Sequence, residues 1–282
     1  MAPATTPTSG IVIYPLATAT GGSAPLSISC SPAPGTAFPL GLSKVTCIVT
    51  DALQQSNSCT FTVTIEPRPP APRLAITRIM AFGNSITQGV NGDDRTSFVP
   101  APYPSILQTA LNARYYDQTV TVTSEGVGGE VTSMGLGRFP SALSADHPDL
   151  VLLEEGINEI NPAVESAIAP MADNLRSMAK LAKAHGAQIF IATLLPERAG
   201  PPRNLTPSII PAANNAIRTA AALEGVPVVD LYAGFGGGPD PYIGADGLHP
   251  NQSGYQRIAD LFFDAIRARF ETVPILPFLS RR

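Results

Sequence analysis

Residues 79–89 read Ile-Met-Ala-Phe-Gly-Asn-Ser-Ile-Thr-Gln-Gly, and this stretch decides how the larger part of the chain folds. Its first four residues form an apolar run typical of a buried strand, and the Gly-Asn pair marks a tight turn before a helical segment. Ser85 follows the pair, so its hydroxyl lies at the end of the strand, beside unpaired backbone N–H groups and a positive helix terminus. Two roles are open for this serine: a nucleophile, and the more common helix cap.

The same alternation of strand and helix continues to residue 270. Apolar strand-like runs occupy residues 74–82, 120–124, 150–154, 187–195 and 226–231. Helical patterns lie near residues 103–114, 163–185, 207–224 and 252–270. This order predicts an α/β fold in which a parallel sheet is flanked by helices on both faces. Ligands of such open sheets bind at the carboxyl ends of the strands.

Residues 1–66 have a different character, because they are rich in Thr, Ser, Val, Gly and Pro. Two alternating β-branched runs, at residues 44–50 and 59–65, are joined by a polar stretch and predict a hairpin of a small β-sandwich. Four prolines in residues 66–73 then indicate an extended linker. The predicted organisation is a β-sandwich at 1–66, a Pro-rich linker at 67–73, the α/β domain at 74–270 and an irregular tail at 271–282.

The three cysteines of the chain, Cys30, Cys47 and Cys59, all lie in this N-terminal part. Their confinement to a small β module indicates one disulfide and an oxidising compartment. Three thiols allow three pairings, and buried reduced cysteines in a cytosolic protein are the alternative. We expect a Cys30–Cys59 disulfide in a secreted, periplasmic or extracellular protein. The first residues lack the charged and apolar parts of a signal peptide, so we expect that a leader has been removed.

The composition narrows the classes of partner. The net charge is −4 and no long basic run occurs, which excludes the electrostatic footprint of a nucleic-acid-binding protein. No segment approaches the roughly 20 apolar residues of a membrane-spanning helix. With 282 residues, 44% of them hydrophobic, the chain can form a full globular core. We therefore expect a globular protein whose partner is a small molecule, with neither nucleic acid nor a membrane span.

A second motif lies far downstream, where residues 244–254 read Gly-Ala-Asp-Gly-Leu-His-Pro-Asn-Gln-Ser-Gly. Asp246 precedes His249 by three residues in a Gly/Pro-rich turn, so its carboxylate can hydrogen-bond the imidazole and fix its tautomer. A histidine held in this way can deprotonate a nucleophile, and Ser85 is the best candidate. The other two histidines, His147 and His185, lie before a strand and at a helix end, where structural roles are expected.

Two further motifs follow the second and third predicted strands. Residues 124–130 read Ser-Glu-Gly-Val-Gly-Gly-Glu, and glycine lets a backbone N–H approach a substrate oxygen without a Cβ in the way. Residues 154–159 read Glu-Glu-Gly-Ile-Asn-Glu and offer an amide side chain as a donor. Together with the N–H of Ser85, Gly129 and Asn158 would form an oxyanion hole with three donors. Taken singly, a tight turn and a helix cap are simpler roles for these two residues.

The order Gly-x-Ser, Gly, Gly-x-Asn, Asp-x-x-His resembles the SGNH hydrolase superfamily, also called GDSL-type esterases. The four blocks are Gly83-Asn84-Ser85, Gly129, Gly156-Ile157-Asn158 and Asp246-Gly247-Leu248-His249, within residues 74–270. The resemblance implies a flavodoxin-like three-layer fold without metal or cofactor. It also implies Ser85 as nucleophile, His249 as base and Asp246 as its orienting residue, with Gly129 and Asn158 as oxyanion donors.

Two positions depart from the pattern of this superfamily. Asn84 stands where the first block usually has Asp, and Glu159 stands where the third block usually has Asp after its Asn. Neither position carries a proton transfer in the implied mechanism. The departures leave open how rigidly the loop of Ser85 is held.

The N-terminal part resembles a hyalin-repeat (HYR) domain, an immunoglobulin-like module. The matching residues are 29–41, Val45-Thr46-Cys47 and Thr50-Asp51-Ala52. The chain departs from the pattern at Gln54-Gln55-Ser56-Asn57, where the family usually has a Gly-Asn turn. Such modules mediate adhesion or act as spacers, which implies a carbohydrate or protein contact and no catalysis.

The SGNH resemblance implies a serine esterase that hydrolyses carboxylic esters through an acyl-enzyme. We expect its pocket walls to come from the loops at 90–103, 131–140, 196–207 and 233–245, with Phe98, Tyr103, Phe235 and Tyr242 as substrate-binding residues. These apolar side chains favour an acyl or aryl group, the lack of a long insertion typical of a lipase lid favours short acyl chains, and the absence of Trp disfavours a sugar ester. The alternatives are a carbohydrate O-deacetylase, a lysophospholipase or a thioesterase of the same fold, and a non-catalytic binding or adhesion protein.

Overall fold

The computed structural model describes residues 1–6, 8–160, 164–203 and 205–272. The chain divides into two compact units, Met1–Pro70 and Ala71–Arg282, each with its own hydrophobic core. The division falls inside the predicted linker. The last residues of that linker nevertheless belong to the second unit, because the N–H of Ala71 donates to Asp117 at 3.2 Å and Arg73 begins a short strand.

The first unit consists of strands and connecting loops. Its strands are β1 (Ala2–Pro3), β2 (Ser9–Ile11), β3 (Ser27–Ser31), β4 (Ala37–Pro39), β5 (Gly41–Thr50) and β6 (Ser56–Glu66). Strands β1, β6, β5 and β3 form a sheet in that order, and β2 pairs with β4 in a second sheet. Phe38 of β4 packs in one core with Val45 and Val63 of the larger sheet. The predicted small N-terminal β module is confirmed.

The three cysteines lie side by side on neighbouring strands of this unit. Cys30 of β3 is directly opposite Cys47 of β5, and Cys47 is directly opposite Cys59 of β6. The disulfide joins Cys30 to Cys47, and Cys59 is a free, exposed thiol. The predicted Cys30–Cys59 pair is therefore wrong. Strand β5 separates these residues, and two strand spacings of about 4.8 Å exceed the roughly 7 Å between Cα atoms that a disulfide can span.

The second unit is built on a parallel sheet. Its strands are β7 (Arg73–Leu74), β8 (Arg78–Gly83), β9 (Thr121–Gly126), β10 (Leu150–Glu154), β11 (Gln188–Ala192), β12 (Val228–Val229) and β13 (Glu271–Thr272). Five of them pair in the order β12-β11-β10-β8-β9, all parallel. The chain leaves β8 toward β9 on one side and returns to β10 on the other. This reversal makes the carboxyl ends of β8 and β10 the expected position of a ligand crevice.

Helices flank both faces of this sheet. They are α1 (Ser85–Gln88), α2 (Tyr103–Arg114), α3 (Thr132–Asp146), α4 (Ile157–Ile160), α5 (Ile168–Ala184), α6 (Ile210–Glu224), α7 (Leu231–Gly234) and α8 (Gln252–Phe270). α5 packs against both α3 and α6 in one layer, and α2 packs against α8 in the other. The predicted three-layer α/β fold is confirmed. None of the helices within the described ranges combines the length and the apolarity that a bilayer span requires.

α3 occupies residues that the sequence pattern predicted as a loop at 131–140. Gly135, Gly137 and Pro140 lower the intrinsic helix propensity of this segment. The helix nevertheless buries Phe139 and Leu143 in the core of the second unit. Burial of this apolar face outweighs propensity, as it does for most helices in globular proteins.

A short antiparallel pair joins the start of the second unit to the residues that follow α8. Leu74 of β7 pairs with Glu271 of β13, and Arg73 pairs with Thr272. Arg114 and Tyr115 hold the carboxylate of Glu271 with hydrogen bonds of 2.6–2.8 Å. The predicted irregular tail therefore begins with two residues of strand, and residues 273–282 of that tail lie outside the described residues.

Candidate active site

Ser85 lies where β8 passes into α1, at the carboxyl edge of the sheet. The cap of α1 is Asn84, whose side-chain oxygen accepts the N–H of Ile86 at 2.9 Å. The capping role that the sequence left open for the serine therefore belongs to its neighbour. A Cβ at Gly83 would lie 2.3 Å from the carbonyl oxygen of Glu154 on β10, so only glycine fits where the two strands approach each other.

Asp246, His249 and Ser85 are hydrogen-bonded in series. His249 Nε2 is 2.8 Å from Ser85 Oγ, and His249 Nδ1 is 2.7 Å from Asp246 Oδ2. The other carboxylate oxygen, Asp246 Oδ1, accepts the backbone N–H groups of Leu248 and His249 at 2.9 Å each. These bonds close the turn and direct the imidazole toward the serine. Because Nδ1 donates its hydrogen to the carboxylate, Nε2 carries the lone pair that can accept the serine proton.

The three side chains are almost fully buried, and this burial affects the charge of Asp246. Burial alone would raise the pKa of Asp246, but hydrogen bonds from His249 and from the backbone N–H of Leu248 outweigh it and lower the pKa to about 2. The carboxylate therefore stays ionised throughout the neutral range. An ionised partner is what stabilises an imidazolium formed by proton transfer from a serine.

The loop after α1 braces the turn that contains His249. The N–H of Asp246 donates to the carbonyl oxygen of Gly92 at 2.8 Å, and the N–H of Gly92 donates to that of Pro250 at 3.0 Å. The side chain of Asp93 also accepts the N–H of Ala245 at 3.1 Å. A Cβ at Gly92 would lie 2.0 Å from the carbonyl oxygen of His249. The two loops can interlock because this position has no side chain.

Of the two predicted oxyanion donors, Gly129 lies on the loop that follows β9, and Asn158 lies in α4, the short helix that follows β10. Asn158 Nδ2 donates to the carbonyl oxygen of Glu130 at 2.7 Å. This bond uses one of the two amide hydrogens and leaves the other to donate to a ligand. Gly129 has a φ of 75°, in the left-handed region that favours glycine, and the space where its Cβ would lie is open.

Arg138 of α3 anchors the loop that carries Gly129. Its Nε donates to the buried carboxylate of Glu130 at 2.6 Å, and its Nη2 donates to the carbonyl oxygen of Glu125 at 2.7 Å. The guanidinium carbon also lies 3.9 Å from the ring centroid of Phe82 on β8. One side chain thus ties the ends of two sheet strands to the loop between β9 and α3.

Two buried carboxyl groups stand at the end of β10. Burial raises the pKa of Glu154 to about 8, against the opposing effect of hydrogen bonds from Asn84 and Thr87. Burial, with the nearby charges of Glu154, Glu130 and Glu159, raises the pKa of Glu155 to about 10. Both groups are therefore neutral acids at pH 7. Their neutrality keeps two negative charges away from Asn158, where an oxyanion would need positive or neutral surroundings.

Arg203 contacts the Asp–His pair and was not identified from the sequence. Its Nε donates to Asp246 Oδ2 at 2.9 Å, and its Nη2 lies 3.5 Å from His249 Nδ1. The loop after β11 supplies it, and the sequence of that loop contains no motif that indicates such a contact. The one feature that could have indicated a contact of this kind is the charge of Asp246, because a buried carboxylate requires several hydrogen-bond donors.

The structure separates the four predicted substrate-binding residues. Phe98 is 57% exposed on the loop after α1, where a ligand can reach it. Tyr103 is fully buried, with its hydroxyl 3.1 Å from that of Thr87 and its ring stacked on Phe262, so its assignment to the pocket wall is wrong. Phe235 is also buried, and its ring packs against that of half-buried Tyr242. Tyr103 is the first residue of α2 and Phe235 follows the last residue of α7, and both rings belong to the core of the second unit.

The other two histidines, His147 and His185, were considered as possible metal ligands. Within the described ranges, no group of three or more His, Cys, Asp and Glu side chains is arranged to hold a metal ion. His147 and His185 follow the carboxyl ends of α3 and α5, and their rings stack at 6.1 Å.

The fold and the arrangement at its carboxyl edge are those of an ester hydrolase with a three-layer α/β fold. The chain belongs to the GDSL-like lipase/acylhydrolase family, whose model matches residues 81–257, more than half of the chain. Residues 6–65 match the model of the HYR domain. Both resemblances stated from the sequence are confirmed, and the chain is a carboxylic ester hydrolase.

Similar proteins agree with this membership. Esterase TesA of Pseudomonas aeruginosa is 28% identical over 188 residues, which cover 67% of this chain and 87% of that protein. An acetylxylan esterase of Xylanibacter ruminicola is 27% identical over 226 residues, which cover 70% of this chain but only 45% of that protein. The crystal structure of a lipase/acylhydrolase from Enterococcus faecalis has a TM-score of 0.60 at 23% identity, covering 71% of this chain and 100% of that one. This last likeness shows the shared fold.

Proposed function

We propose that the chain is a serine esterase in which Ser85 is the nucleophile, His249 the general base and Asp246 the residue that orients and stabilises the imidazole. The observation that carries this proposal is the pair of hydrogen bonds, 2.8 Å and 2.7 Å long, that connects the three side chains. A serine hydroxyl is a weak nucleophile by itself, and an adjacent base in hydrogen-bond contact is what activates it.

The reaction follows from these contacts. His249 takes the proton of Ser85 as the hydroxyl oxygen attacks the ester carbonyl, and ionised Asp246 stabilises the imidazolium. The alcohol leaves with the proton from His249, and the acyl group stays on Ser85. Water then enters, gives its proton to His249 and attacks the acyl-enzyme, which releases the acid and restores the serine.

The negative oxygen that forms in both steps needs hydrogen-bond donors. We assign this role to the N–H of Ser85, the N–H of Gly129 and the free amide hydrogen of Asn158. The N–H of Ser85 belongs to the first turn of α1, whose N–H groups have no partners within the helix. The Asn158 amide is already oriented by its bond to Glu130, so it loses little freedom when it binds the oxyanion.

Short-chain acyl or aryl esters are the proposed substrates. Exposed Phe98 is the apolar contact that the loop after α1 offers. A carbohydrate O-deacetylase is the second candidate, favoured by the likeness to the acetylxylan esterase. Acetate release from acetylated xylan, compared with a series of p-nitrophenyl esters of increasing acyl length, separates the two.

The test of the mechanism is hydrolysis of p-nitrophenyl acetate by Ser85→Ala. We expect kcat to fall by at least about 10⁴-fold, because the nucleophile and base act as a unit. Ser144→Ala is the matched control, since Ser144 is exposed on α3 and its loss should leave the rate unchanged. Equal release of p-nitrophenol by wild type and Ser85→Ala would reject Ser85 as the nucleophile, and release by both no faster than in buffer alone would favour a non-catalytic binding protein.

A secreted or periplasmic location completes the proposal. Its support is the disulfide of the N-terminal module and the HYR domain match. The module would then contact carbohydrate or protein outside the cytosol. Detection of the mature chain in the culture medium or periplasm of its native host, and its absence from the cytosolic fraction, is the measurement that checks this location.

A further inference from the structure

The row of three cysteines in the first unit is a cluster of reactive side chains that ester hydrolysis does not use. Cys30, Cys47 and Cys59 stand at directly opposed positions on β3, β5 and β6. Opposed residues of an antiparallel pair point to the same face of the sheet. The three side chains therefore form one line across the sheet, with Cys47 in the middle.

Two disulfide pairings fit this line. Opposed residues on adjacent antiparallel strands are close enough for a disulfide, which spans up to about 7 Å between Cα atoms, and the Cα atoms of Cys30 and Cys47 are 4.0 Å apart. The existing bond joins Cys47 to Cys30, and the same relation holds between Cys47 and Cys59. A bond between Cys30 and Cys59 would have to cross β5. The two possible pairings therefore share Cys47.

The free thiol is accessible beside the disulfide. Cys59 is exposed, whereas Cys47 is 2% exposed. A cavity of about 400 Å³ is lined by Cys47 and Cys59, together with the loop at 17–22. Small thiols and alkylating reagents can reach this side of the row.

We propose that Cys30, Cys47 and Cys59 form a thiol–disulfide exchange site, in which the disulfide moves between Cys30–Cys47 and Cys47–Cys59. The thiolate of Cys59 attacks the sulfur of Cys47, a Cys47–Cys59 bond forms, and the Cys30–Cys47 bond breaks. Cys30 leaves as a thiolate and takes up the proton that Cys59 released. The step changes no net oxidation state and needs no other reactant. The register favours this step because Cys47, the residue attacked, lies between Cys59 and Cys30 on the sheet.

The two pairings hold different parts of the module. Cys30–Cys47 ties β3, at the edge of its sheet, to β5, whereas Cys47–Cys59 ties β5 to β6 and leaves β3 to its hydrogen bonds. The bonded residues are separated by 17 and 12 positions respectively. The difference in loop-closure entropy changes the equilibrium constant between the two pairings by only about twofold. Loop closure therefore does not strongly favour either pairing. Exchange would loosen the edge strand and convert Cys30 into a free thiol.

The experiment is disulfide mapping of the full chain without reduction. The protein is held at pH 8, alkylated with iodoacetamide, quenched in acid, digested and analysed by mass spectrometry. We expect Cys30–Cys47 peptides with alkylated Cys59, and Cys47–Cys59 peptides with alkylated Cys30, the second at no less than about a tenth of the first. Incubation with a trace of reduced glutathione should bring both peptides to the same ratio from either starting population.

Single substitutions make the result decisive. Cys30→Ser should form the Cys47–Cys59 bond, and Cys59→Ser should form only the Cys30–Cys47 bond. Hydrolysis of p-nitrophenyl acetate by each variant reports that the catalytic unit is intact. The proposal is overturned if wild type gives only the Cys30–Cys47 peptide after thiol treatment, or if Cys30→Ser keeps both remaining cysteines as free thiols.

Discussion

At the scale of single residues, Asn158 gives the sharpest test of the proposed oxyanion hole. Its amide is fixed by the 2.7 Å bond to Glu130 and has one hydrogen left for a ligand. We predict that Asn158→Ala lowers kcat by roughly 10²- to 10³-fold, because a donor is lost where negative charge develops. KM should change little, since the bond strengthens chiefly in the transition state.

The measurement is the steady-state rate on p-nitrophenyl acetate. Asn215→Ala is the matched control, because Asn215 is an exposed amide on α6, and its rate should stay within about twofold of wild type. An unchanged kcat in Asn158→Ala would remove this side chain from the mechanism. A fall in both kcat and thermal stability would indicate instead that the bond to Glu130 is chiefly structural.

Asn84 shows how one departure from the family pattern fits its surroundings. Its oxygen caps α1, and its amide nitrogen lies 3.4 Å from the carbonyl oxygen of Glu154. An aspartate here would add a carboxylate next to an acid that burial already keeps neutral. The neutral amide of Asn84 caps α1 without adding a buried charge, and its two hydrogen bonds hold the loop of Ser85 on both sides.

At the scale of elements, the carboxyl end of β10 couples stability to pH. Glu155 has its pKa raised by burial from an ordinary value of 4.5 to about 10, so the folded state favours the protonated acid. The contribution of protonated Glu155 to the free energy of unfolding is complete below the pKa that this group has in the unfolded chain. It is lost as the pH rises toward 10. For one proton the free energy of unfolding falls by up to about 1.4 kcal/mol per pH unit in this window.

We predict that Glu155→Gln is stabilised relative to wild type by an amount that grows between pH 5 and pH 8. The neutral amide has no proton to lose, so it escapes the pH-dependent loss. Melting temperatures of both proteins, taken at intervals of one pH unit, provide the measurement. Glu165→Gln, at an exposed position, serves as control and should give a constant difference. A difference for Glu155→Gln that does not vary with pH would contradict the buried-acid argument.

The contact between the loop after α1 and the turn of His249 gives a second test at this scale. We predict that Gly92→Ala lowers both stability and kcat/KM, because its Cβ would lie 2.0 Å from the backbone oxygen of His249. A shift of about 1 Å in a catalytic group can reduce the rate by about 10²-fold. Gly137→Ala is the matched control: the space around Gly137 on α3 is open, and alanine there should stabilise by up to about 1 kcal/mol. Wild-type kinetics in Gly92→Ala would show that this loop does not position the imidazole.

The elements differ in how well the sequence predicts them, and the reason is physical. β10 was predicted at its observed bounds, Leu150–Glu154, because a strand buried on both faces has an unbroken apolar run. α2 and α8 show amphipathic periodicity and were also predicted at their bounds. α3 was missed because two glycines and a proline hide its apolar face, which only the packed core reveals. Contacts such as Arg203 with Asp246 depend on where two loops meet, and no local pattern encodes that.

At the scale of the whole molecule, the candidate site lies entirely in one unit. Ser85, Asp246 and His249, with Gly129 and Asn158, all belong to Ala71–Arg282. The loops that brace them, around Gly92 and Arg203, belong to it as well. Met1–Pro70 has a separate core around Phe38. Each unit therefore has the hydrophobic core that independent folding requires.

We predict that a chain lacking residues 1–66 folds and retains kcat/KM on p-nitrophenyl acetate within about twofold of the full chain, because the contacts described for its catalytic residues lie within Ala71–Arg282. Starting at Pro67 keeps the N–H of Ala71 that donates to Asp117, together with the β7–β13 pair. Calorimetry of the full chain should show two transitions, of which the shortened chain keeps one. A loss of activity with the remaining transition unchanged would mean that the N-terminal module contributes to the active site. Loss of that transition itself would mean that the two units fold as one.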